Sequence, residues 1–104
     1  MPELIIISLP ADLDLSDIYN HTVRVWDAQQ AENYLQFLRE QFRAIEDDPS
    51  LGYALTNRSG ILCFIAKPSK RRSSHGHRIF YRLLDFGIEI VRVIHTSMDW
   101  QQYL

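Results

Sequence analysis

At 104 residues, 46 % of them apolar, the chain has material for one core and not for two, so residues 1–104 are expected to form a single domain. Apolar runs such as Leu4 to Ile7 fall far short of the ~20 residues that cross a bilayer, and no leader-like segment precedes that run. A cytoplasmic protein without membrane contact is therefore expected. Cys63 is the single cysteine, which excludes an internal disulfide and a thiolate zinc cluster, and its neighbours Phe64 and Ile65 point to an inert buried thiol.

The net charge of −2 conceals an uneven distribution. Residues 1 to 50 carry three basic and ten acidic side chains, whereas residues 51 to 104 carry eight basic and three acidic ones. Such a dipole can steer encounter with a partner of opposite sign, and the basic half suits nucleic acid or an acidic protein.

In chain order, Leu4 to Leu9 is β-branched and too short for a helix, so a strand buried on both faces is expected. Pro10 suits the first turn of a helix, and Asp12, Asp14 and Asp17 sit where the helix dipole favours negative charge. Leu15, Ile18, Tyr19, Thr22 and Trp26 line one face of that helix. Asp27 and Gln30 have the form of a capping box opening a second helix. Its stripe of Ala31, Leu35, Leu38, Phe42 and Ile45 should be buried along its length until Asp48-Pro49 ends it. The short connection between them predicts an antiparallel helical hairpin lying on a sheet.

After a turn-rich stretch from Pro49 to Gly60, strands are predicted at Leu62 to Ala66, Arg78 to Leu84 and Ile88 to His95. The polar, basic stretch from Lys67 to Gly76 reads as an exposed loop. Asp85-Phe86-Gly87 reads as a three-residue hairpin loop with its glycine at positive φ. The expected fold is α+β, in the order β-α-α-β-β-β, with a mainly antiparallel sheet.

Five cations, Lys67, Lys70, Arg71, Arg72 and Arg78, fall within twelve residues with no acid among them. A solvated loop is the simplest reading of such a run. The sheet beside it also carries Arg82 and Arg92, and a strand arginine needs solvent or a partner because burial without counter-charge is costly. Arg78, Phe80 and Arg82 should alternate onto one face, mixing guanidinium groups with an aromatic ring. Tyr34 and Phe37 lie off the helical stripe and are candidates for docking a partner helix.

Other signals are weaker. His75 and His77 lack further ligands nearby, so no metal site is expected. His95, Ser97 and Asp99 hold the residue types of a hydrolase triad but no turn that exposes the serine. No glycine loop cradles phosphates, and no cofactor is expected.

The blocks Asp14-Leu15-Ser16-Asp17-Ile18-Tyr19, Gln30-Ala31-Glu32-Asn33-Tyr34-Leu35 and Pro49-Ser50-Leu51-Gly52 carry a resemblance, together with His77-Arg78-Ile79-Phe80-Tyr81-Arg82, Ile90-Val91-Arg92-Val93-Ile94-His95 and Met98-Asp99. In order and spacing they resemble ParE toxins of the RelE/ParE superfamily, over nearly the whole chain. The resemblance implies the toxin of a type II toxin–antitoxin system, of the kind tied to plasmid stabilisation. A cognate ParD-like antitoxin of ribbon-helix-helix type would neutralise it, and DNA gyrase would be its target. Target contacts would come from Lys67, Lys70, Arg71, Arg72, Arg78 and Arg82, and antitoxin contacts from Tyr34, Phe37, Arg82 and Arg92. The RelE branch cleaves messenger RNA on the ribosome; here that reading would rest on Arg78, His75, His77 and Tyr103. Met98 stands about where that branch carries a late arginine, which argues against the nuclease. A third alternative is a non-toxic relative that only binds antitoxin. The stretch Lys67 to Gly76 is long and basic for a ParE toxin, which opens a nucleic-acid contact as well.

Overall fold

A computed structural model describes residues 4–71 and 74–104. Strand β1 (Leu4–Ile7) leads into helix α1 (Leu9–Val25), and only Trp26 and Asp27 separate it from helix α2 (Ala28–Asp47). After a 3-10 turn at Pro49–Leu51 come β2 (Tyr53–Ala54), β3 (Leu62–Ala66), β4 (His77–Leu84) and β5 (Gly87–His95), then a second 3-10 turn at Trp100–Gln102. The sheet order is β1-β5-β4-β3-β2, antiparallel except where β1 runs parallel to β5. The α+β architecture, the hairpin of helices and the mainly antiparallel sheet are as the sequence predicts.

The helix starts follow local chemistry. Ser8 caps α1, its Oγ accepting from the Ala11 N–H, and Asp27 caps α2 by accepting from the Gln30 N–H at 2.8 Å. The α2 stripe of Ala31, Leu35, Leu38, Phe42 and Ile45 is buried throughout. Its Leu38, Phe42 and Ile45 pack with Ile79, Tyr81, Ile88, Ile90 and Val93 on the inner face of the sheet. A second, smaller core lies on the outer face, where Trp100 and Leu104 cover Cys63, Phe80 and Ile94. The buried Cys63 thiol agrees with the sequence reading.

Several expectations are corrected. The first strand ends at Ile7, because Ser8 is taken up as a helix cap. It is an edge strand with Leu4, Ile6 and Ile7 exposed, not one buried on both faces. Trp26 is 73 % exposed, since α1 has ended and the chain turns at that point. The stretch after Pro49 contains β2, which a two-residue pattern could not announce. It is held by Tyr81, whose hydroxyl donates to the Pro49 carbonyl at 2.6 Å and accepts from the Gly52 N–H at 2.9 Å.

The β4–β5 loop has two residues, Asp85 and Phe86, and Gly87 begins β5. Gly87 is needed for space, not for positive φ: a Cβ there would lie 1.9 Å from the Leu4 carbonyl oxygen. Among the described residues the positive φ belongs to Gly60, at 78°.

Candidate functional site

A β-bulge opposite Phe80 and Tyr81 sets the site. Phe80 pairs with Arg92 and Tyr81 with Ile90, leaving Val91 as the extra residue on β5. Beyond it the parity of β5 changes, so Ile88, Ile90 and Val93 all face the helices while Ile94 joins the outer core. β1 stops beside Ile90, and Ser8 takes over: its N–H bonds the Ile90 carbonyl and its Oγ donates to the Val91 carbonyl. Above this point the edge of β5 faces α1 across an open cleft of about 760 Å³.

The cleft gathers residues that are far apart in sequence. Asp14, Asp17 and His21 come from α1, Tyr34 from α2, and His75, His77 and His95 from β4, β5 and the preceding loop. Rings run through it in succession. His75 lies 5.5 Å from His95, His95 lies 5.1 Å from His77, and His77 lies 5.3 Å from Tyr34. Tyr34 is in turn 5.6 Å from Phe37. The Tyr34 hydroxyl hydrogen-bonds Nδ1 of His77 at 2.6 Å. Burial pushes the Tyr34 hydroxyl up to about 12 and the His77 imidazole down to about 4, so both are neutral near pH 7. His95 is also lowered, first by burial and then by His75 and His21.

These placements revise several site expectations. His77 is not a loop histidine; it opens β4 and is 8 % exposed. Tyr34 and Phe37 are half-buried and pack on the main core instead of standing free for a partner helix. His95 Nδ1 does meet Ser97 Oγ, at 2.7 Å, but Asp99 is spent capping the C-terminal 3-10 turn, so a triad does not assemble. Among the described residues no group of three or more potential ligands is placed to hold a metal ion.

The basic residues divide into two groups. Arg92 is held by Asp14 and also donates to the Tyr103 carbonyl at 2.8 Å, with its guanidinium 5.7 Å from the Tyr103 ring centroid. Arg82 pairs with its cross-strand neighbour Glu89. Arg78 is half-buried and has no ion pair among the described residues, and its Nε is buried without a hydrogen-bond partner. It faces outward beside Tyr53 and Cys63, on the side of β4 that also carries Phe80. Phe80 itself is fully buried, so the expected mixture of open arginines and an open aromatic ring is not present.

Lys70 and Arg71 are exposed, without ion pairs among the described residues. Lys67 at the end of β3 is partly buried and engaged, and Arg72 lies outside the described residues. Arg78 and His77 are adjacent on β4 and so point to opposite faces of the sheet. His75 and Tyr103 line the cleft with His77, away from Arg78.

The cleft and its ring series are not legible in the sequence, because His21, His75, His77 and His95 meet only where α1, the loop before β4, and the paired ends of β4 and β5 come together. The one available signal was that all four are absent from both amphipathic core stripes.

Among the described residues no helix is long and apolar enough to cross a membrane. Comparison with known proteins places the chain. Residues 5–100 match the family described as the ParE toxin of type II toxin–antitoxin systems, parDE. A toxin named ParE1 from Caulobacter vibrioides is 31 % identical over 99 residues, covering 94 % of each chain. Another ParE1, from Mycobacterium tuberculosis, is 33 % identical over 96 residues, covering 90 % of each. A solved structure described as a chromosomal ParDE system from P. aeruginosa superposes with a TM-score of 0.71 at 18 % identity, over 88 % of this chain and 94 % of that one, which speaks to fold. A match across almost the whole length, with relatives above 30 % identity, makes this chain a member of the ParE toxin family of type II toxin–antitoxin systems.

Proposed function

We propose that the protein acts in the cytoplasm as a non-enzymatic inhibitor of DNA gyrase and is neutralised by a cognate ParD-like antitoxin of ribbon-helix-helix type. The observation that carries the target side is positive charge without an ion pair among the described residues: half-buried Arg78, which meets the Tyr53 and Cys63 side chains, and exposed Lys70 and Arg71. A cation held in a partly apolar setting without counter-charge is costly alone and gains most from an anionic surface brought by a partner. Arg72 and Lys67 are proposed to contribute to the same surface, and Arg82 and Arg92 are assigned to internal ion pairs instead.

The antitoxin is proposed to cover the helical hairpin and the cleft beside it, where exposed Trp26, Met98 and Tyr103 offer apolar anchors to an amphipathic segment. The nuclease reading has less support. Cleavage needs a proton acceptor and a proton donor beside the cation that stabilises the phosphorane, and the histidines lie on the other side of the sheet from Arg78.

A supercoiling assay tests the target: purified toxin in excess should inhibit gyrase and trap cleaved DNA, and unimpaired supercoiling would remove the claim. Primer extension on messenger RNA after induction should show no discrete cuts. Growth arrest on induction, relieved by co-expressing the neighbouring antitoxin, separates a toxin from a non-toxic antitoxin-binding relative.

A further inference from the structure

The ring series ends at the base of the basic loop. His75 stands one residue before Gly76, and Gly76 is bound to Thr96 in both directions. The Thr96 N–H donates to the Gly76 carbonyl at 3.0 Å, and the Gly76 N–H donates to Thr96 Oγ1 at 3.2 Å. Ser74 closes the loop from within by donating from Oγ to the Ser69 and Arg71 carbonyls. The stem 74–76 therefore rests on the end of β5 through two hydrogen bonds and the His75–His95 ring contact.

We propose that protonation of His75 and His95 unlatches this stem from β5, so that the presentation of Lys70 and Arg71 is sensitive to acid. The inference rests on the proposed role of those cations for its consequence, not for its physical basis.

Neutral imidazoles 5.5 Å apart attract as aromatic rings, whereas two imidazolium ions at that distance repel. The groups facing them are His21, Asp14 and Asp17 on α1, Tyr34 on α2, Arg92 on β5 and Tyr103 near the C-terminus. Asp14 is already committed to Arg92, which leaves Asp17 as the remaining carboxylate in the cleft lining. Little in the cleft therefore compensates a second imidazolium. The sign follows from linkage: burial first, then His75 and His21, hold His95 below the usual histidine value, so an undocked stem that uncovers the ring and withdraws His75 favours proton uptake, and acid favours the state that binds more protons.

Amide exchange measured by NMR and corrected for intrinsic rates tests the latch. Protection of the Thr96 and Gly76 amides should fall about tenfold between about pH 7.5 and about pH 5.5, as one pK unit of coupling would give. Protection at Phe64 and Ile79 in the sheet should change less over the same range. His75→Phe, which keeps a ring without a charge, should preserve protection at neutral pH and remove the acid response.

A Thr96 amide indifferent to pH would overturn the proposal. So would a uniform loss across the sheet, or a full acid response retained in H75F. If the latch responds while K70E and R71E inhibit gyrase as well as wild type does, the latch stands and the target reading fails.

Discussion

Asp14 on α1 grips Arg92 on β5 with both carboxylate oxygens, each 2.8 Å from a guanidinium nitrogen, and takes the Val93 N–H at 2.9 Å as a third donor. One acidic residue of the N-terminal half thus clamps the edge that β1 leaves open and consumes a cation that sequence reading had assigned to a partner. Asp14→Asn would leave Arg92 facing a neutral amide and Val93 poorly satisfied. We expect it to lower stability by about 2 kcal/mol, because both side chains are largely out of solvent. A fall in the urea midpoint measures this, and a midpoint unchanged by D14N would show the clamp to be energetically idle.

His77 makes stability depend on acid. Its imidazole is held at about 4 when folded against an ordinary 6.5 when unfolded, chiefly by burial, so the unfolded chain binds the proton first as pH falls. Its contribution is complete above the ordinary histidine value and is lost progressively on acidification toward the folded value, at about 1.4 kcal/mol per pH unit. Urea melts of wild type and His77→Gln between about pH 7 and about pH 5 should show the wild type losing stability more steeply. Parallel curves would refute the assignment.

Two glycines should respond to alanine in opposite degree. Gly87→Ala drives a methyl into the Leu4 carbonyl, and the clash is with backbone that is itself paired. We expect a loss of about 3 kcal/mol or more and a loosened β1. Gly60→Ala meets nothing within 4 Å and suffers only from its positive φ, for a loss of about 1 kcal/mol. Thermal unfolding of the two variants gives the comparison directly, and equal losses would contradict it.

Charge reversal separates open cations from committed ones. Lys70→Glu and Arg71→Glu together should weaken the proposed gyrase inhibition about tenfold while changing stability by less than about 0.5 kcal/mol. Arg82→Ala should leave inhibition within about twofold of wild type, since Glu89 already answers that charge. Inhibition titrations at low and moderate salt would register the contrast, and equal effects of the two changes would remove it.

Much of the scaffold was legible because local rules and tertiary demand agree. The α2 stripe, the Asp27 cap and the β3, β4 and β5 strands are specified by periodicity and capping chemistry, and they stand within a residue or so of where those rules put them. What escaped was set by distant partners. β2 exists because Tyr81 ties Pro49 and Gly52 to the sheet, and Arg92 is closed off because a bulge near Val91 turns it toward Asp14. Clustered positive charge could be read from residue order, but which of those charges are already matched could not. That depends on Glu89 and Asp14 across strand and helix contacts.

The parallel pairing of β1 with β5 joins residues more than eighty positions apart, and β5 also carries β4 on its other side. A ribosome making this chain delivers the helical hairpin before the strand that knits the sheet together, which is the last of the five to emerge. Long loops closed late make for slow assembly. The acidic half would therefore wait as an unsupported hairpin until β5 emerges to hold β1 and β4 in one sheet.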